Sequence, residues 1–157
     1  MGHVHMTAQA IGSRPLRFLM LNDLGDLGMS AARVICIEDE PDMIDLMRLL
    51  LTRKGFEFIG ARGGAEGLRL IATQKPDLIL LDLMMPDMDG WEVYRRLKTD
   101  EATAEIPVIV VTARARTQEQ LEALREARVD DYIVKPFGPG QLVTSIQRVL
   151  DLNRVQR

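Results

Sequence analysis

The chain has 157 residues, of which 46% are hydrophobic and 27% are charged, and its formal net charge is −3. This length fits one domain, and the acidic balance gives no reason to expect a surface for nucleic acid. The single cysteine, Cys36, excludes an internal disulfide framework. No apolar stretch reaches the ~20 residues of a membrane-spanning helix. We therefore expect a cytoplasmic protein that binds neither membrane nor nucleic acid.

The composition divides the chain into a domain and two flanking segments. Residues 1–30 are rich in Gly, Met and small residues and show no sustained period, so we interpret them as an N-terminal extension. Residues 31–152 carry the periodic pattern of a folded domain, and residues 153–157 form a short C-terminal tail. The sequence leaves open whether the extension docks on the domain, and whether the chain was cut from a longer protein.

Apolar runs of strand length alternate with segments of helical period along the domain. Pro41 suits the first turn of a helix, and Gly55 suits a helix end. Five strands and five helices in alternation predict an α/β fold, with a parallel sheet covered on both faces in a doubly wound order. The predicted strands are 34–37, 56–59, 78–81, 108–112 and 132–134, and the predicted helices lie near 41–54, 65–73, 90–97, 118–128 and 142–152.

Polar side chains follow the strands of this predicted sheet. Glu38 and Asp39 come after the first strand, Asp82 after the third, Thr112 at the end of the fourth and Lys135 after the fifth. The carboxyl ends of parallel strands meet at one edge, so we expect these groups to converge. Clustered carboxylates need a cation, and Mg²⁺ prefers oxygen ligands. With a lysine and a hydroxyl added, the set is suited to accept a phosphoryl group on a carboxylate.

Alone, each of these residues has an ordinary explanation. An acid after a strand often caps the following helix, and we assign Glu40 that role. A lysine after a strand is usually a solvated surface residue. The agreement of four strand ends is what makes the pattern specific.

Four segments resemble a known family. They are ICIEDE from Ile35, PDLILLDLMMPDMDG from Pro76, VVTA from Val110 and DYIVKPF from Asp131. In these the chain resembles the receiver domain of two-component response regulators, of the single-domain, chemotaxis-regulator type, over roughly residues 33–150. The resemblance implies a flavodoxin-like sheet with strand order 2-1-3-4-5.

The resemblance also implies roles for individual residues. Asp82 would be the phosphoacceptor. Asp39 and Asp82 would bind Mg²⁺, with Glu38 acting directly or through water and Met84 contributing its backbone carbonyl. Lys135 would contact the phosphoryl group, and its peptide bond to Pro136 would be cis.

Further implied roles concern the switch and the lifetime of the phosphoryl group. Thr112 and Tyr132 would couple the site to the face made by the fourth helix, the fifth strand and the fifth helix. Met84 and Arg114 would tune the phosphoryl lifetime, unless they are only a loop side chain and a solvated cation. Arg128 stands where receivers usually have Gly in a left-handed conformation.

By resemblance the chain is a single-domain response regulator. It would take a phosphoryl group from a sensor histidine kinase or a histidine phosphotransfer protein, and signal to a partner protein or a second copy in a homodimer. Such a chain is not an enzyme on outside substrates and at most removes its own phosphoryl group slowly. A phosphorylation-independent interaction module of the same fold is the alternative. An aspartate-nucleophile phosphatase is disfavoured because Asp39-Glu40-Pro41 lacks the second Asp of that motif.

Overall fold

The computed structural model describes residues 30–113 and 117–156. The predicted N-terminal extension therefore lies outside the described residues, except for Ser30. Strands and helices alternate along the described chain, as the sequence predicts. The strands are β1 (Arg33–Ile37), β2 (Glu57–Ala61), β3 (Leu78–Leu81), β4 (Val108–Thr112) and β5 (Asp131–Val134), and the helices are α1 (Pro41–Arg53), α2 (Gly64–Gln74), α3 (Gly90–Thr99), α4 (Gln118–Glu126) and α5 (Pro139–Val155).

The strands form one five-stranded sheet in the order β2-β1-β3-β4-β5. Every neighbouring pair is parallel. The predicted doubly wound, flavodoxin-like topology is confirmed. The strand order reverses at β1, which pairs with β2 on one side and with β3 on the other. A sheet of this kind opens a crevice at the carboxyl ends of the strands on either side of the reversal.

The sheet separates two apolar cores, because alternate side chains of each strand point to opposite faces. Val34 and Cys36 face the core that α1 and α5 cover, whereas Ile35 and Ile37 face the core that α2, α3 and α4 cover. Both faces of the central strands are therefore buried. That is why β3 reads as an uninterrupted apolar run rather than an alternating one.

Some element boundaries differ from the prediction. Strand β2 continues through Gly60 and Ala61, beyond its predicted end at Ile59. A Cβ at Gly60 would lie 2.5 Å from the Ile44 side chain, so glycine lets α1 approach the strand closely. Helix α5 runs to Val155 rather than ending near Leu152.

Two turns have the backbone conformation expected for them. Helix α1 is followed by Gly55 at φ 84°, and Arg128 adopts φ 55° after α4, the left-handed conformation expected there. No described helix combines the length and the apolar character that crossing a membrane requires.

Candidate functional site

The site lies at the carboxyl edge of the sheet, where β1 and β3 run side by side. Glu38 and Asp39 follow the last residue of β1, and Asp82 follows the last residue of β3. The Asp82 amide donates to the carbonyl oxygen of Ile37 at 3.0 Å, and the Glu38 amide donates to that of Ala61 at 3.0 Å. These bonds extend the sheet by one residue and fix both acidic residues on rigid backbone.

The three predicted carboxylates are brought together. One oxygen each from Glu38, Asp39 and Asp82 can be chosen so that all lie within 4.8 Å of one another. Glu38 is fully buried, Asp82 is 4% exposed and Asp39 is half-buried. Burial raises the pKa of Glu38 to about 7, with the charge of Asp82 adding to the effect and the hydrogen bond from Lys135 opposing it. Burial thus disfavours the charged form of Glu38, and a cation bound beside it would offset this cost.

Lys135 supplies the positive charge of the site. Its Nζ donates to Glu38 Oε2 at 2.5 Å and lies 3.4 Å from Asp82 Oδ2. Burial acts to lower the pKa of Lys135, but the hydrogen bond to Glu38 and the charge of Asp82 outweigh it, and the pKa is raised. The Lys135 amide donates to the carbonyl oxygen of Thr112 at 3.0 Å. The peptide bond from Lys135 to Pro136 is cis, as expected.

The donor set fits a hard divalent cation. Three carboxylates face one ammonium group, and Mg²⁺ prefers oxygen ligands while keeping several waters. The Met84 amide donates to Asp82 Oδ1 at 3.0 Å, which holds the start of the loop after β3 beside the Asp82 carboxylate. The carboxylates of Glu38, Asp39 and Asp82 are thus placed to hold such an ion, with the Met84 carbonyl as the further predicted ligand.

The predicted switch residues lie on the strands beside the site. Thr112 is fully buried at the end of β4, opposite Val134 in the strand register. Tyr132 lies one pleat earlier on β5, is half-buried and packs against the core under α2, α3 and α4. Arg114 lies outside the described residues, so its role stays a prediction.

Sequence reasoning missed one residue that shapes the site and misassigned another. Gly90 opens α3, and a Cβ there would lie 2.5 Å from the carbonyl oxygen of Asp82 and 2.4 Å from Leu83 Cα. The sequence did offer a signal for this close packing. Asp89 caps α3 by accepting from the Trp91 amide, and a glycine directly after that cap, inside the helix, is unusual without a packing reason. Glu40 is the N-cap residue of α1, but its side chain makes no capping hydrogen bond, so the role assigned to it was wrong.

Comparison with known proteins agrees with this geometry. The family described as the response regulator receiver domain matches residues 34–147. The phosphate regulon transcriptional regulatory protein PhoB of Pseudomonas aeruginosa is 38% identical over 78% of this chain and 53% of its own length. The transcriptional regulatory protein KdpE of Mycobacterium tuberculosis is 37% identical over 76% of this chain and 51% of its own length.

Solved structures resemble the chain over nearly their whole length. A CheY-like response regulator receiver domain protein of Methanospirillum hungatei superposes with a TM-score of 0.75 at 28% identity, covering 82% of this chain and 100% of that one. The N-terminal domain of a response regulator receiver protein of Methanoculleus marisnigri gives a TM-score of 0.63 at 40% identity, covering 77% and 98%.

The chain spans about half the length of the curated relatives it matches. What their names say about transcription therefore describes those longer proteins. The family match, the sheet order and the acidic edge of the sheet all concern the shared half, which here contains Glu38, Asp39, Asp82 and Lys135. The chain belongs to the response regulator receiver domain family.

Proposed function

We propose that this chain is a phosphoacceptor in a two-component signalling pathway, with Asp82 as the residue that is phosphorylated. The donor would be the phosphohistidine of a sensor histidine kinase or of a histidine phosphotransfer protein. One observation carries the proposal. The carboxylates of Glu38, Asp39 and Asp82 meet within 4.8 Å, and Lys135 reaches both Glu38 and Asp82.

The proposed transfer uses the chain's own groups as follows. A carboxylate oxygen of Asp82 attacks phosphorus, the bond from phosphorus to the donor imidazole breaks, and its electron pair returns to the imidazole ring. Lys135 supports the charge on the phosphoryl oxygens as it moves toward Asp82. Mg²⁺, held by Glu38, Asp39, Asp82 and the Met84 carbonyl, would supply further neutralisation of that charge.

Phosphorylation then changes the packing beside the site. In the proposed switch, the Thr112 hydroxyl donates to a phosphoryl oxygen, and the Tyr132 ring moves inward. The new anion gains this hydrogen bond in only one of two arrangements, so it shifts an existing equilibrium. The output surface would be the face of α4, β5 and α5, which would bind a partner protein or a second copy of the chain.

We propose protein contact rather than nucleic-acid contact as the output of this domain. The net charge of −3 gives no indication of a broad basic surface. The only turnover proposed for the domain is slow hydrolysis of its own aspartyl phosphate.

Chemical phosphorylation tests the proposal directly. The chain is incubated with acetyl phosphate and Mg²⁺, and its mass is followed before and after mild base. We expect a base-labile gain of one phosphoryl group, lost in Asp82→Asn and retained in Asp87→Asn, an exposed acid on the same loop. Absence of any mass gain would support the phosphorylation-independent module instead. A mass gain that is retained in Asp82→Asn would show that another residue is the acceptor.

A second measurement separates acceptance from switching. In Thr112→Val, phosphorylation of Asp82 should persist, while the change in amide hydrogen exchange along α4 on phosphorylation should disappear. A wild-type exchange response in Thr112→Val would show that the hydroxyl does not couple the site to α4.

A further inference from the structure

The methionines in the described part of the chain differ in exposure. Met47 is fully buried, and Met43, Met85 and Met88 are partly buried and pack against the apolar cores. Met84 is 40% exposed and belongs to neither core. Packing therefore explains four of these side chains but not Met84.

The backbone of Met84 is also held beside the proposed phosphoacceptor. Its amide donates to Asp82 Oδ1 at 3.0 Å, which holds this residue of the loop against the carboxylate. Met84 also borders an open depression of about 400 Å³, so its exposed side chain is accessible to small molecules from solvent. The depression is lined by Leu83, Met84, Met85, Pro86 and Asp89.

We propose that Met84 is a site of reversible oxidation by hydroperoxides, and that its oxidation shortens the lifetime of the phosphoryl group on Asp82. The sulfur attacks one oxygen of hydrogen peroxide, so that an S–O bond forms and the O–O bond breaks. Sulfur loses two electrons, the second oxygen leaves as hydroxide, and the proton on the attacked oxygen passes to that hydroxide to give water. The product is methionine sulfoxide, a polar group that methionine sulfoxide reductases return to the thioether. The inference rests on the proposed function of Asp82.

The effect on lifetime follows from the hydrolysis step. A water oxygen attacks phosphorus, the bond to the Asp82 carboxylate breaks, and the carboxylate leaves with the electron pair. One water proton stays on the phosphate and the other is released to solvent. A thioether is a weak hydrogen-bond acceptor, whereas a sulfoxide oxygen at Met84 accepts strongly and orients the attacking water. One hydrogen bond gained in the transition state corresponds to about a fivefold rise in rate.

The test uses the full chain under native conditions. The protein is treated with dilute hydrogen peroxide, and oxidation of each methionine is mapped by peptide mass spectrometry. It is then phosphorylated with acetyl phosphate, the donor is removed, and loss of the phosphoryl group is followed by intact mass. We expect Met84 to oxidise faster than Met85 and Met88, the rate of phosphoryl loss to rise about fivefold, and reductase treatment to reverse the rise.

Three variants separate Met84 from the other methionines. Met84→Gln imitates the sulfoxide and should lose the phosphoryl group faster than Met84→Leu without any peroxide. The lifetime in Met84→Leu, whatever its starting value, should not respond to peroxide. Met43→Leu, altered on α1 in the opposite core, should respond as the wild-type chain does.

Two results would overturn the inference and leave Asp82 as the acceptor. One is an unchanged lifetime when Met84 is oxidised, and the other is a wild-type peroxide response in Met84→Leu. Failure of the untreated chain to accept a phosphoryl group at Asp82 would overturn the proposed function itself.

Discussion

Substitution of Gly90 tests whether the position of Asp82 at the end of β3 depends on close packing against α3. A methyl group at this first residue of α3 would lie 2.4 Å from Leu83 Cα and 2.5 Å from the carbonyl oxygen of Asp82. Ordinary contacts begin near 3.4 Å, so Gly90→Ala creates an overlap of about 1 Å. The overlapped atoms belong to backbone and cannot rotate away. Either α3 or the segment with Asp82 must move.

The magnitude comes from two opposing terms. Alanine is a better helix former than glycine by roughly 1 kcal/mol, which favours the substitution. Overpacking a close-packed site typically costs ~1–3 kcal/mol, and a clash with backbone belongs at the upper end. We expect the free energy of unfolding to fall by about 2 kcal/mol as the sum of these terms. A shift of Asp82 by about 1 Å would also slow its phosphorylation by up to about a hundredfold.

Urea unfolding measures the stability, and mass spectrometry with acetyl phosphate measures the phosphorylation rate. Gly140→Ala is the matched control, because Gly140 is the second residue of α5 and nothing lies within 4 Å of its Cβ. This control should be stabilised by ~0.4–1 kcal/mol. In Gly67→Ala the atoms nearest to the methyl group belong to the Ile37 side chain rather than to backbone, so a smaller loss than in Gly90→Ala is expected. Wild-type stability and phosphorylation in Gly90→Ala would show that the packing of Gly90 does not constrain the position of Asp82.

Three further changes test other parts of the structure. Because the pKa of Glu38 is about 7 in the folded chain and its ordinary value is 4.5, the folded state keeps a proton that the unfolded state releases between these values. Without metal, stability should therefore fall as pH rises from 4.5 to 7, by roughly 3 kcal/mol at most; urea unfolding should show a flatter profile in Glu38→Gln. Arg128→Gly should raise the thermal midpoint by relieving φ 55°, as Lys75→Gly should at φ 46°, and an unchanged midpoint in both would argue against strain there. Tyr94→Phe removes a 2.8 Å hydrogen bond to the Ala127 carbonyl and should cost about 1 kcal/mol, with faster amide exchange at the end of α4 but not of α5.

The sequence was sufficient for the type and order of the elements. Strands such as β3 are buried on both faces, so their apolar runs stand out between amphipathic helices. The hydrophobic periodicity does not determine the order of the strands in the sheet, which was predicted from the family resemblance. The end of β2 was missed because Gly60 is unfavourable in an isolated strand. Only the approach of Ile44 from α1 explains a glycine there.

The sequence was sufficient to predict which residues come together at the site. The parallel topology alone brings Glu38, Asp82 and Lys135 to one edge. Their pairing was not predictable, because it depends on side-chain conformations. Lys135 lies nearer to Glu38 than to the proposed acceptor, at 2.5 Å against 3.4 Å. The packing of Gly90 against Asp82 was hidden for the same reason, since a separation of 2.5 Å is a property of the assembled fold.

The two faces of the sheet differ in how much a rearrangement costs, and this difference directs the proposed switch. Helix α4 has one buried side chain, Leu124. Moving the helix away from the sheet would therefore cost about 1.5–3 kcal/mol in lost apolar burial. Helix α5 has four buried apolar side chains, so moving it away from the sheet would cost roughly 6–12 kcal/mol in lost apolar burial. A hydrogen bond from Thr112 to a charged phosphoryl oxygen contributes about 1.5–3 kcal/mol. If the proposed switch operates, this would be enough to move α4 and too little to move α5, so we expect α4 to be the element that phosphorylation of Asp82 displaces.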